Sequence, residues 1–153
     1  MSFCLSKTDC FITVNVSVKQ IQHSNFYKHI DTLIKKHDIP PNHLEFELTE
    51  SVLMNDNDLS IQLFNKLRLL GIKISIDNFG TGFSSFSCLI KLPIDKIKID
   101  QSFIKNLVTK KSCRAIVKTI IKMTKELGIN AVAEGVETQE QYDFLAKNGC
   151  DYI

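Results

Sequence analysis

Nowhere does the sequence stay apolar for the ~20 residues that a membrane helix needs. The N-terminal stretch MSFCLSKTDC has neither a long apolar core nor a cleavage signal. A net charge of +2 is too small to argue for a DNA or RNA polymer, or for a membrane surface, as partner. The five cysteines (Cys4, Cys10, Cys88, Cys113, Cys150) are odd in number, scattered and without a CxxC pair. That pattern speaks against a disulfide framework or a zinc knuckle and fits reduced thiols in the cytoplasm. Tryptophan is absent, and the ten phenylalanines read as core filler. No linker, low-complexity tract or composition shift divides the 153 residues, a length that suits one domain.

What is present is an alternation. Short β-branched runs at residues 10–16, 44–49, 72–77, 96–100, 130–134 and 151–153 read as six strands. Between them lie amphipathic stretches. In residues 25–38, Phe26, Ile30, Leu33 and Ile34 follow the spacing of one helix face, and Pro40-Pro41 ends that run. Residues 59–70 close on Gly71, a short helix is expected near 84–90, Ser112 is placed to cap a helix running to Leu127, and Gly128 and Gly149 stop the last two helices. Strand–helix alternation of this kind specifies a parallel sheet with helical crossovers.

A second regularity concerns chemistry. Asn15, Glu47, Asp77, Asp100 and Glu134 each fall at the C-terminal end of an expected strand, separated by 32, 30, 23 and 34 residues. In a parallel sheet these ends share one face, where active sites form. Any one of these acids, taken alone, reads as a helix cap or a solvated loop residue. Four converging carboxylates repel one another unless a cation holds them. An oxygen-rich set with one amide suits Mg²⁺ or Mn²⁺. Lys98 lies on the same side of its strand as Asp100, where it could bind phosphate or orient a metal-bound water. Metal-assisted phosphoester chemistry is the first hypothesis from this pattern.

Other features carry less. His23, His29, His37 and His43 are spaced 6, 8 and 6 apart, so none forms an i, i+4 metal clip, and a solvated role is the plainer reading. Lys110, Lys111, Arg114 and Lys118 form a basic face that reads as solvated. The Gly-Thr-Gly after Asp77 is not a dinucleotide fingerprint.

Five ordered stretches, NVS (15–17), ELTES (47–51), DNFGTGFSS (77–85), LPIDKIKIDQSF (92–103) and AEGVET (133–138), resemble the EAL family of cyclic di-GMP phosphodiesterases. The resemblance implies an α/β fold, a TIM-like (β/α)₈ barrel, and hydrolysis of cyclic di-GMP to pGpG with Mg²⁺ or Mn²⁺. It implies that Asn15, Glu47 and Asp77 bind one metal, with Asp77 bridging to a second that Asn78 and Glu134 also hold. It further implies that Lys98 contacts the hydrolytic water, that Asp100 supports it, and that Glu50 braces the 77–85 loop. Thr81 and Glu137 would support the loop and the substrate side of the mouth.

The chain also departs from the family pattern. It has no Glu-Ala-Leu motif, it carries Asn78 where the family has a second aspartate, and it stops at CDYI ahead of the family's Gln-Gly stretch. A full barrel takes ~250 residues. The expectation is therefore a single incomplete EAL domain over residues 1–153, about six of eight strands, with two raw sheet edges. Such edges would be covered by a partner chain or a second copy, or would aggregate. Catalysis should be weak or lost. The alternatives are a degenerate module that binds cyclic di-GMP or a protein without cleaving, and a remnant of a longer gene with no activity of its own.

Overall fold

The computed structural model describes residues 11–54, 58–82 and 86–153. Five strands form one parallel sheet in sequence order: β1 (Ile12–Val16), β2 (Leu44–Thr49), β3 (Lys73–Phe79), β4 (Lys96–Ile99) and β5 (Asn130–Ala133). The helices are α1 (Val18–Ile21), α2 (Phe26–His37), α3 (Asp58–Leu70), α4 (Phe86–Lys91), α5 (Gln101–Lys105), α6 (Lys111–Leu127) and α7 (Gln139–Asn148). The expected sixth strand is reduced to one parallel bridge, Val132 to Tyr152. Ala133 N–H donates to the Tyr152 carbonyl and Tyr152 N–H to Ala131. Three residues supply a bridge and no ladder.

The strands alternate strictly, and the alternation decides what each face of the sheet does. Leu44, Phe46 and Leu48, then Ile74 and Ile76, Ile97 and Ile99, Ala131 and Ala133 are all buried. Against this face pack α3, on β3, and α6, on β4 and β5. The intervening positions are polar: Glu45 and Glu47, Ser75 and Asp77, Lys96 and Lys98. The apolar core therefore lies between sheet and helices, and the other face of the sheet carries the charge. At β1 the apolar side stays open, with Ile12 and Val14 exposed.

Helix ends follow local chemistry. Ser17 and Thr138 each accept a hydrogen bond from the amide three residues on, while the glutamine there reaches back, two capping boxes that start α1 and α7. Gly128, with φ 68°, closes α6 and donates to the Lys125 and Thr124 carbonyls. Ser112 does not cap α6 as expected. The helix begins one residue earlier, at Lys111, and the capping position is Lys110, which makes no side-chain capping bond. The expected helix start at Ser84 and Ser85, and Cys4 and Cys10, lie outside the described residues. Cys88, Cys113 and Cys150 are free thiols. Among the described residues no helix is long and apolar enough to cross a membrane.

Leu67 is fully buried on α3, whereas Leu69 is 88% exposed. Chemical denaturation should show Leu67→Ala costing about 2–5 kcal/mol and Leu69→Ala within about 0.5 kcal/mol. Equal losses would contradict the assignment of the α3 core face.

Candidate carboxylate rim around Lys98

The C-terminal ends of β2 to β5 meet at one ammonium. Lys98 Nζ lies 2.6 Å from Glu47 Oε1, 2.5 Å from Glu134 Oε1 and 3.6 Å from Asp77 Oδ1. Three acids from three strand ends thus share one cation contributed by a fourth strand. Burial works most strongly on this lysine and favours its neutral form, but the hydrogen bonds and charges of Glu134 and Glu47 outweigh it. The Lys98 pKa is held above the ordinary lysine value.

Asp77 does not sit at a helix start. It belongs to β3, in register with Thr49 of β2, and the β3–β4 register shifts between Ile76 and Phe79. Such irregularities re-aim side chains at strand ends. Asn78, within this shift, has φ 55°, a left-handed conformation that asparagine and aspartate tolerate better than most residues. Its amide donates to Asp77 Oδ2 at 3.1 Å. Among the described residues Asp77 Oδ1 is buried with no hydrogen-bond partner, and the Lys98 charge lies 3.6 Å from it.

The loop after β3 is braced from below. Glu50 is buried, and one of its oxygens accepts from the Gly80 amide at 3.1 Å and the Gly82 amide at 2.8 Å. Gly80 has φ 101°, and a β-carbon there would come within 2.9 Å of the Phe103 ring. Backbone conformation and space both demand glycine at that position. Thr81 is exposed and its hydroxyl donates to the Asn78 carbonyl.

The remaining expected residues lie differently. Asn15 is exposed on β1 and stands opposite Glu47 in the β1–β2 register. Asp100 caps α5: its Oδ1 accepts from the Ser102 amide at 2.8 Å. For this acid the plain reading of a helix cap describes the contact observed. Glu137 is exposed, and its backbone amide donates to Gln141. His43 is half-buried, its ring 6.3 Å from that of Phe11. Among the described residues no three His, Cys, Asp or Glu side chains converge by themselves into a cluster able to hold a metal ion; the acids of the rim are spaced around Lys98. The donor set still fits Mg²⁺ or Mn²⁺ in kind, because every donor is a hard oxygen and one carboxylate oxygen has no partner.

One pair escaped the sequence reading. Directly beneath Glu47 and Lys98, two residues earlier on each strand, Glu45 and Lys96 form a 2.5 Å ion pair across β3. Fully buried Ser75 on β3 lies opposite Glu47 on one side and Lys96 on the other. The available signal was the matching period of two in LEFELT and KIKID.

Parallel βα repeats with acids gathered at the C-terminal strand ends define an α/β protein of the TIM-like barrel class. A family model described as EAL domain matches residues 3–153. The chain belongs to the EAL domain family.

Over 145 residues the chain is 40% identical to the bifunctional diguanylate cyclase/cyclic di-GMP phosphodiesterase MucR of Pseudomonas aeruginosa, a match covering 95% of this chain and 21% of that protein. It is 31% identical to the cyclic di-GMP phosphodiesterase PdeR of Escherichia coli over 138 residues, 90% of this chain and 21% of PdeR. The chain spans about a fifth of the length of these curated relatives. A solved structure of the Pseudomonas MucR phosphodiesterase in complex with c-di-GMP superposes with a TM-score of 0.85 at 40% identity, covering 92% of this chain and 57% of that one. A manganese/cy-diGMP complex of Klebsiella pneumoniae BlrP1 superposes at 0.80 with 28% identity, covering 93% and 37%.

Removing the brace should free the loop. Glu50→Ala is expected to cost about 1–3 kcal/mol, and hydrogen exchange should lose protection at Gly80 and Gly82 first. Unchanged exchange at both amides would show that Glu50 does not hold them.

Proposed function

We propose that this chain is the part of an EAL-type cyclic di-GMP phosphodiesterase domain that carries the cation-binding rim, and that its own activity on cyclic di-GMP is weak. One observation carries the reading: Glu47, Asp77 and Glu134 reach from three strand ends to the same Lys98 ammonium on the polar face. The names of the MucR and PdeR relatives supply the substrate class.

In this reading Asn15, Glu47, Asp77, Asn78 and Glu134 would hold Mg²⁺ or Mn²⁺. A divalent cation bound there supplies charge neutralisation at the phosphate and a water acidic enough to attack phosphorus. The residues of the chain do the rest. The protonated Lys98 holds Glu47 and Glu134 at its own position and offers donors to a water or a phosphate oxygen. Glu50 fixes the loop that follows Asp77, with Thr81 tying it to Asn78, so the β3 end is held before any ligand arrives. Asp100 orients the start of α5, one residue beyond the strand bearing Lys98, and Glu137 stands on the substrate side.

Residues 1–153 act as a single EAL domain whose exposed β1 face is covered by a second copy or a partner chain. The free thiols fit a cytoplasmic setting.

Asn78 keeps a carbonyl oxygen and lacks the aspartate charge, and among the described residues no three acids form a cluster able to hold a metal ion. Both features favour a second reading, a module that binds cyclic di-GMP without cleaving it. Incubation with cyclic di-GMP and Mn²⁺, read by chromatography for pGpG and by calorimetry for binding, separates the two. Slow pGpG formation supports the first reading and heat without product the second; neither heat nor product contradicts both. Asn78→Asp preserves the left-handed backbone and restores a charge. It should tighten Mn²⁺ binding roughly tenfold, about 1.4 kcal/mol, and unchanged affinity would remove Asn78 from the ligand set.

A further inference from the structure

Lys96 makes contacts that no neighbouring strand pair explains. Its ammonium is 2.5 Å from Glu45 on β2, 5.3 Å from the centroid of the Phe11 ring just ahead of β1, and 5.6 Å from that of Tyr152 beyond β5. In a flat sheet with strands ~4.8 Å apart, the first strand and Tyr152, which bridges the outer side of the fifth, would stand about 24 Å from each other. Both rings can face one nitrogen only because the sheet is strongly curled, and Lys96 sits at the inside of the curl.

We propose that Lys96 is a positioning residue: its ammonium, held by Glu45 and by the faces of Phe11 and Tyr152, ties the two rims of the sheet together and thereby sets the curvature that brings Glu47, Lys98 and Glu134 into contact. The chemistry is that of a half-buried cation attracted to a carboxylate and to two ring faces at once. Glu45 is buried, so the pair is screened little by solvent. The geometric link to the rim is short. Glu45 and Lys96 lie on the same two strands as Glu47 and Lys98, one pleat lower, so the separation of β2 and β4 across Ser75 is shared by both pairs. If the lower tie is lost, the arc opens and the upper pair must span a wider gap.

The importance of this placement for nucleotide chemistry rests on the function proposed above, but its test does not. The readout is proton exchange of the Lys98 ammonium followed by nitrogen-edited NMR in the full chain, with circular dichroism to establish folding. The Lys98 signal should be long-lived in the parent chain. Lys96→Met keeps the aliphatic stem and removes the charge, and should speed Lys98 exchange roughly tenfold or more. Lys96→Arg retains a cation that pairs with carboxylate and stacks on rings, and should restore slow exchange; a purely steric role would instead be preserved by methionine. Should Lys96→Met fail to fold, Phe11→Leu with Tyr152→Leu keeps the ion pair, removes both rings and is read in the same way. Lys98 exchange that stays unchanged in a folded variant overturns the proposal, whatever the outcome of the cleavage assay.

Discussion

A lysine shared by three acids from three different strands is the interaction on which the rest of this molecule depends. Carboxylates brought together on one partly buried rim repel, and the repulsion grows as water is excluded. Lys98 offsets part of that repulsion. Its Nζ is close enough to Glu47 and Glu134 for charge-assisted hydrogen bonds and close enough to Asp77 for a longer ion pair. The same contacts keep the lysine charged although burial opposes it. The rim is thereby an organised set of oxygen donors in which three carboxylates outnumber one ammonium and, among the described residues, Asp77 Oδ1 has no hydrogen-bond partner.

That arrangement is possible because the two faces of the sheet carry different kinds of residue. The aliphatic positions of β2 to β5 face the helices and bury the core. The interdigitating positions carry acids and lysines that pair across an intervening strand, Glu45 with Lys96 and Glu47 with Lys98. Ser75 is the small residue over which these pairs cross. Stability and chemistry are thus assigned to opposite faces of the same strands. A substitution on the aliphatic face should act through packing, and one on the polar face through charge.

Much of this was legible in the sequence, and the failures have physical reasons. LEFELT, KIKID and NAVAE show their strands through β-branched alternation, and Gly128 and Gly149 mark helix ends because each sits in a left-handed cap. Asn15, Glu47, Asp77 and Glu134 could be placed on one edge because whole βα repeats separate each from the next, two of them between Asp77 and Glu134. The Glu45–Lys96 pair was missed because it joins strands that are not neighbours, and strand periodicity alone says nothing about which side chains meet across β3. Asp100 shows the opposite limit. Position alone cannot distinguish a rim ligand from a helix cap, and here the acid is engaged with the Ser102 amide. The short helices α1 and α5 have too few turns to leave a periodic trace. At the chain's far end, one bridge at Tyr152 carried the same β-type residues as a ladder.

The claim that joins these parts is that Glu47, Asp77, Asn78, Lys98 and Glu134 surround one cation-attracting point at the C-terminal ends of the strands. Titration of the isotope-labelled chain with Mn²⁺, which broadens nearby NMR signals through its unpaired electrons, tests it most directly. The account requires broadening centred on the amides of Glu47, Asp77, Asn78 and Glu134, fading toward Arg68 and Gly128 at the opposite end of the sheet. Broadening centred elsewhere, such as at the histidines of residues 23–43, or none at all at saturating Mn²⁺, would contradict it.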